Sequence, residues 1–262
     1  MRFVAAVLSL LAFASVSPAQ NPGQRVQISI RVASVVTRGD TSGVGAVITS
    51  LPSSVEELWR YDVDAPAGVS KIVRPAPDSD WTTGTKFWDR PVAHWTILKS
   101  FPPGAVTPQF YFESIGLPGI VTYWAGGDFE HTSEANWGAT DVVLAEDPLT
   151  TRMINGKTVG VEPWPVDRTA KALIARLKTL TQTSCATPLT WITSSSLCTT
   201  LVGYLNQTET YRAAGNVTKA KSSMASYIKS LSGKTAGTYA TGVTNPAYWL
   251  LKTNADIVVS KL

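Results

Sequence analysis

Cysteine and histidine are nearly absent from this chain, whose 262 residues hold two of each. With only His94 and His131, no metal centre built from three imidazoles can form. The two cysteines, Cys185 and Cys198, form an even pair and in an oxidising compartment are expected to make one disulfide. Long apolar runs are lacking too. The longest, residues 3–14, is broken by Ser9 and falls short of the roughly 20 residues a helix needs to cross a bilayer, so no membrane span is expected. A serine-protease nucleophile loop is also missing: Gly39-Asp40-Thr41-Ser42-Gly43 carries an inserted Thr, and no histidine precedes it to act as base.

That short apolar run follows Arg2 and leads into Ser17-Pro18-Ala19, the charged start, apolar middle and small-residue exit of a secretory signal. Residues 1–19 are expected to be removed after Ala19, which makes the mature chain a secreted, extracellular protein. Asn206-Gln207-Thr208 and Asn216-Val217-Thr218 supply two N-glycosylation triplets, at Asn206 and Asn216, that fit this route.

The formal net charge of +4 conceals a division. Residues 20–167 hold 11 Lys plus Arg against 17 Asp plus Glu, a balance of −6, whereas residues 168–262 hold 11 against 2, a balance of +9. Seven of the nine tryptophans lie in the acidic part, so composition and charge change together. A domain boundary is therefore expected near residue 165, with a β-rich domain over 20–165 and a helical domain over 166–262.

In the first part, Val26, Ile28, Ile30 and Val32 alternate with polar or small neighbours, the period of a half-buried strand. Further strands are expected within 44–49, 92–98, 109–113, 119–124, 141–144 and 158–161. Turn chemistry separates them, as in Asp64-Ala65-Pro66-Ala67-Gly68 and Phe101-Pro102-Pro103-Gly104. Ser53 and Glu56 have capping-box spacing and predict a short helix over 53–60. Many short strands with such punctuation indicate a β-sandwich-like or open-barrel domain.

Beyond Pro163-Trp164-Pro165 the period becomes helical. Asp167 is expected to cap a helix with Leu173, Ile174, Leu177 and Leu180 on its apolar face. A second helix runs through Leu197, Leu201 and Leu205 toward Gly215, a third is capped by Asn216, and Asn245 is expected to cap a fourth with Pro246 at its first position. The fold class expected is thus α+β, with a four-helix bundle following the β-rich domain.

Within this basic half, Tyr211-Arg212-Ala213-Ala214-Gly215-Asn216, Lys219-Ala220-Lys221, Ser226-Tyr227-Ile228 and Ala247-Tyr248-Trp249-Leu250-Leu251 together resemble the FIMAH-type helical module that ends many secreted bacterial proteins. The likeness covers about residues 168–262 and rests on helix caps and core positions. Tyr227-Ile228-Lys229-Ser230-Leu231 stands where that family carries its Phe-Ile-Met-Ala-His string. The resemblance implies an accessory module without catalytic residues.

Two groups of side chains could carry function. Exposed tryptophans stack on sugar rings, and Trp124 and Trp137 flank a glycine-led loop in which Asp128, Glu130 and His131 cluster. The loop matches no zinc spacing and reads first as a solvated acidic segment, so no metal site is assigned. Asp62-x-Asp64 and Asp78-x-Asp80 could offer oxygen ligands, which leaves calcium the one candidate cofactor. Scattered lysines with no groove-reading motif argue against nucleic acid as a partner.

The expected function is non-catalytic binding of a glycan or of a cell-wall or cell-surface ligand. The rival is a secreted, glycosidase-like hydrolase using Asp128, Glu130 or Glu113 as acid and base.

Overall fold

The computed structural model describes residues 26–76, 80–87, 90–98, 101–127, 153–235 and 238–262. The expected signal segment and the strand expected at 141–144 lie outside them.

Among the described residues, nine strands form two antiparallel sheets. They are β1 (Ile28–Arg38), β2 (Thr41–Ser50), β3 (Leu58–Asp64), β4 (Lys71–Val73), β5 (Trp81–Phe87), β6 (Arg90–Ile97), β7 (Phe110–Ile115), β8 (Leu117–Gly127) and β9 (Ile154–Glu162). One sheet has the order β1-β2-β7-β4 and the other β5-β6-β3-β8-β9. The β1–β2 hairpin turns at Gly39, whose φ of 59° lies in the left-handed region that glycine tolerates without strain.

Inward residues of both sheets meet in one aromatic cluster. Phe110 of the first sheet stacks on Tyr61 of the second at 5.7 Å, and Trp81 and Trp95 each approach it to 5.0 Å. Such offset and edge contacts stabilise the core beyond simple area burial.

Four helices follow among the described residues: α1 (Ala170–Cys185), α2 (Ser195–Ala213), α3 (Val217–Leu231) and α4 (Asn245–Lys261). Leu173, Ile174, Leu177 and Leu180 of α1 are buried as their spacing predicts. Helix α1 packs against α2 and α4, while α3 lies between α2 and α4 in the contact order. Thr181 of α1 and Tyr227 of α3 share a buried hydrogen bond of 2.7 Å. The expected disulfide joins Cys185 to Cys198 and so ties the end of α1 to the start of α2.

Most buried apolar residues of the sheets belong to one continuous cluster with those of the helices. Polar ties reinforce the seam. Asn245, the first residue of α4, accepts from the Val32 N–H at 2.6 Å and donates to the Val32 carbonyl at 3.0 Å. Val32 sits where the β1–β2 register shifts, and the Asn245 amide supplies the hydrogen bonds a ladder partner would otherwise give.

Three local expectations are corrected. Residues 53–60 are not a helix, because Leu58–Asp64 pairs on both sides with β6 and β8 and the Ser53 hydroxyl donates to Gln27 instead of capping. The cap of α1 is Thr169, which accepts from the Ala172 N–H; Asp167 stands two residues back and braces Thr169. Helix α4 is preceded by Thr244 at the cap position, since the Asn245 side chain is turned onto β1. Among the described residues no helix is long and apolar enough to cross a membrane.

Candidate ligand-binding site

Trp124 lies on β8 and is only 6% exposed. It packs with Val92 and Met153 on the face of the five-stranded sheet that turns away from the aromatic core, and the Arg90 guanidinium stands 5.8 Å from its ring centre. Asp128, Glu130, His131 and Trp137 fall outside the described residues, in the segment between β8 and β9. Asp78 does as well.

That same sheet face holds a buried ion pair that includes Asp62, read from the sequence as a candidate calcium ligand. Arg60 and Asp62 alternate with Tyr61 and Val63 along β3, so the pleat sends the charges to one side and the apolar residues to the other. Both carboxylate oxygens of Asp62 accept from the Arg60 guanidinium at 2.8 Å, and the Arg60 cation lies 4.0 Å over the Phe87 ring. Burial pushes the Asp62 carboxyl upward while Arg60 opposes that shift. With both oxygens taken by a guanidinium, Asp62 is a poor donor for calcium.

His94 faces Asp62 across the β3–β6 pair. Burial, with help from the Arg60 charge, pushes its imidazole down to about 4. Its ring occupies the space that a side chain at Gly84 would need, so glycine is required there for packing. Asp64 is raised by burial against the pull of Arg90 and Lys157. Glu113, on β7, accepts from the Tyr111 hydroxyl at 3.0 Å and approaches Lys71 at 3.7 Å.

An open groove of about 560 Å³ lies elsewhere, between the β1–β2 hairpin and α4. Val36 and Asp40 line it from the hairpin, Trp164 from the proline-framed joint, and Trp249, Asp256 and Lys261 from α4. Its two acidic side chains are paired. The Trp164 indole N–H donates to the Asp40 carbonyl at 2.9 Å, and Arg168 donates to the Asp40 carboxylate at 2.9 Å while lying 4.8 Å over the Trp164 ring. On α4, Lys252 donates to Asp256 one turn on, at 2.8 Å. Two half-buried indoles thus stand among pre-paired charges at the seam between sheets and helices.

A signal for this groove does exist in the sequence: Trp249, Lys252, Asp256 and Ser260 recur every three or four residues, a polar and aromatic stripe beside the apolar one. What the sequence hides is the partner hairpin, which is more than 200 residues away and contributes through Asp40.

Both glycosylation triplets lie on the helices. Asn206 is exposed within α2, where its side-chain oxygen accepts from Lys178, and Asn216 caps α3 by accepting from the Lys219 N–H. Among the described residues no group of three or more His, Cys, Asp or Glu side chains is placed to hold a metal ion.

No protein-family model matches the chain. No curated protein sequence matches it either. Neither comparison supports the likeness of residues 168–262 to FIMAH-type modules.

Proposed function

We propose that the mature chain is a secreted, non-catalytic protein that binds a glycan of a cell wall or cell surface. The observation that supports this most is the groove that brings Trp164 and Trp249 together with paired polar groups at the seam. Indole faces stack on the apolar faces of sugar rings, and a few fixed donors and acceptors orient the hydroxyls. Because Asp40 and Asp256 are already held by Arg168 and Lys252, little side-chain freedom is lost when a ligand arrives.

Binding fits these groups better than hydrolysis does. A glycosidase needs one carboxyl to deliver a proton while a second attacks or activates water. The two carboxylates of this groove are each bonded to a cation, an arrangement suited to orienting a ligand. Secretion is supported by the residues 1–19 pattern and by the Cys185–Cys198 bridge, which persists in an oxidising compartment.

A glycan array probed with the mature chain tests this reading. Trp249→Ala is expected to abolish retention of whichever sugar is held, with an unchanged circular-dichroism spectrum. Alanine variants of Trp137, Asp128, Glu130 and His131, tested alongside, report whether the 128–152 segment takes part. Retention of no glycan by the parent chain overturns the proposal, and turnover of a glycan lost with Asp128→Ala or Glu130→Ala replaces it with the hydrolase.

A further inference from the structure

Resting on that reading, we infer that the groove takes an anionic polysaccharide whose sugar rings carry carboxylates, a uronic-acid chain, with Lys261 as its charge-reading residue. The two acids at the groove are both spoken for: Asp40 by Arg168 and Asp256 by Lys252. Lys261, on the same face of α4, is exposed and makes no ion pair with another described residue. Counting Arg168, the side chains at the groove are three cations and two anions, and Lys261 is the cation without a carboxylate side-chain partner among them.

The character of that charge selects the ligand class. Sulfate and phosphate esters are best held by an arginine fork or by several converging donors. Here the one arginine is committed to Asp40 and to the Trp164 ring, and a single ammonium remains. A singly charged carboxylate on a ring stacked against an indole matches that provision. The surrounding field points the same way, because residues 168–262 carry 11 Lys plus Arg against 2 Asp plus Glu. Such an excess draws a polyanion toward the helices and repels a polycation.

The deciding experiment is isothermal titration of the mature chain with a galacturonate hexamer and with a neutral glucose hexamer, at low and at high salt. The acidic hexamer is expected to bind at least about tenfold more tightly than the neutral one, the size of one charge-assisted hydrogen bond. Lys261→Gln should remove most of that preference and most of its salt dependence. Lys261 is exposed at the end of α4, so the variant is expected to melt with the parent.

Equal binding of the two hexamers, or a preference for the acidic one that survives Lys261→Gln, overturns this inference and leaves the glycan-binding reading standing. Failure of both hexamers to bind, together with an empty glycan array, overturns both.

Discussion

Arg176 of α1 donates to the Glu162 carboxylate at the end of β9 over 2.8 Å, and the same guanidinium reaches the Pro118 carbonyl of β8 at 2.9 Å and Asn254 of α4 at 2.6 Å. One cation therefore joins two strands and two helices across the line where composition and charge change. Asn254 repeats the tie by donating to the Pro118 carbonyl at 3.0 Å. The groove depends on this seam, because its two walls come from opposite sides of it.

Replacing Arg176 by Met keeps bulk while removing the donors, and is expected to destabilise the chain by about 2 kcal/mol, since several partly buried acceptors lose a charged partner. Urea unfolding followed by tryptophan fluorescence and by far-ultraviolet dichroism should show coincident transitions, as a shared core requires. Two separate transitions in the parent would contradict the joined core.

His94 sets a pH dependence whose sign follows from its position. The folded imidazole takes up its proton near 4 and the unfolded one near 6.5, so the unfolded chain binds more protons between those values. Stability from this group is complete above about 6.5 and is lost as the pH falls toward about 4. Partial exposure of the ring reduces the loss to on the order of 1 kcal/mol. The raised Asp62 and Asp64 act in the opposite direction, and comparison with His94→Gln cancels them. The variant should gain on the parent as the pH falls through that window; parallel stability profiles would contradict the assignment.

The Cys185–Cys198 bridge closes a loop between residues 13 apart in sequence. In the chain-entropy treatment such a loop stabilises the fold by about 3 kcal/mol. Reduction, or the Cys185→Ala, Cys198→Ala double change, should lower the urea midpoint accordingly. An unchanged midpoint would show that α1 and α2 hold their docking without the bridge.

Much of this architecture was legible in local pattern. The alternation from Val26 to Val32 marked the start of β1, the apolar spacing of α1 marked its buried face, and Gly104 and Gly68 stand at turns with positive φ. Strand β3 was missed because Ser53 and Glu56 imitate a helix start and because nothing local marks the charges of Arg60 and Asp62 as buried. Their burial depends on partners from β5, β6 and β8 that no local window contains.

The site was less legible. Trp124 reads locally like any other tryptophan beside a glycine-led loop, and only its neighbours reveal that it is buried. Trp164 reads as part of a joint and Trp249 as a core residue, and the groove they share comes from the docking of α4 beside β1. Asp40 stands beside the Gly39 turn, and no local window shows its partners. Arg168 and Trp164 tie it to the seam.

The most direct measurement is the indole N–H region of a ¹H–¹⁵N spectrum, assigned by substitution and recorded while a galacturonate hexamer is added. The signals of Trp164 and Trp249 should move together and saturate, and that of Trp124 should stay in place. Movement of Trp124 or Trp137 with Trp164 and Trp249 unshifted would contradict the account.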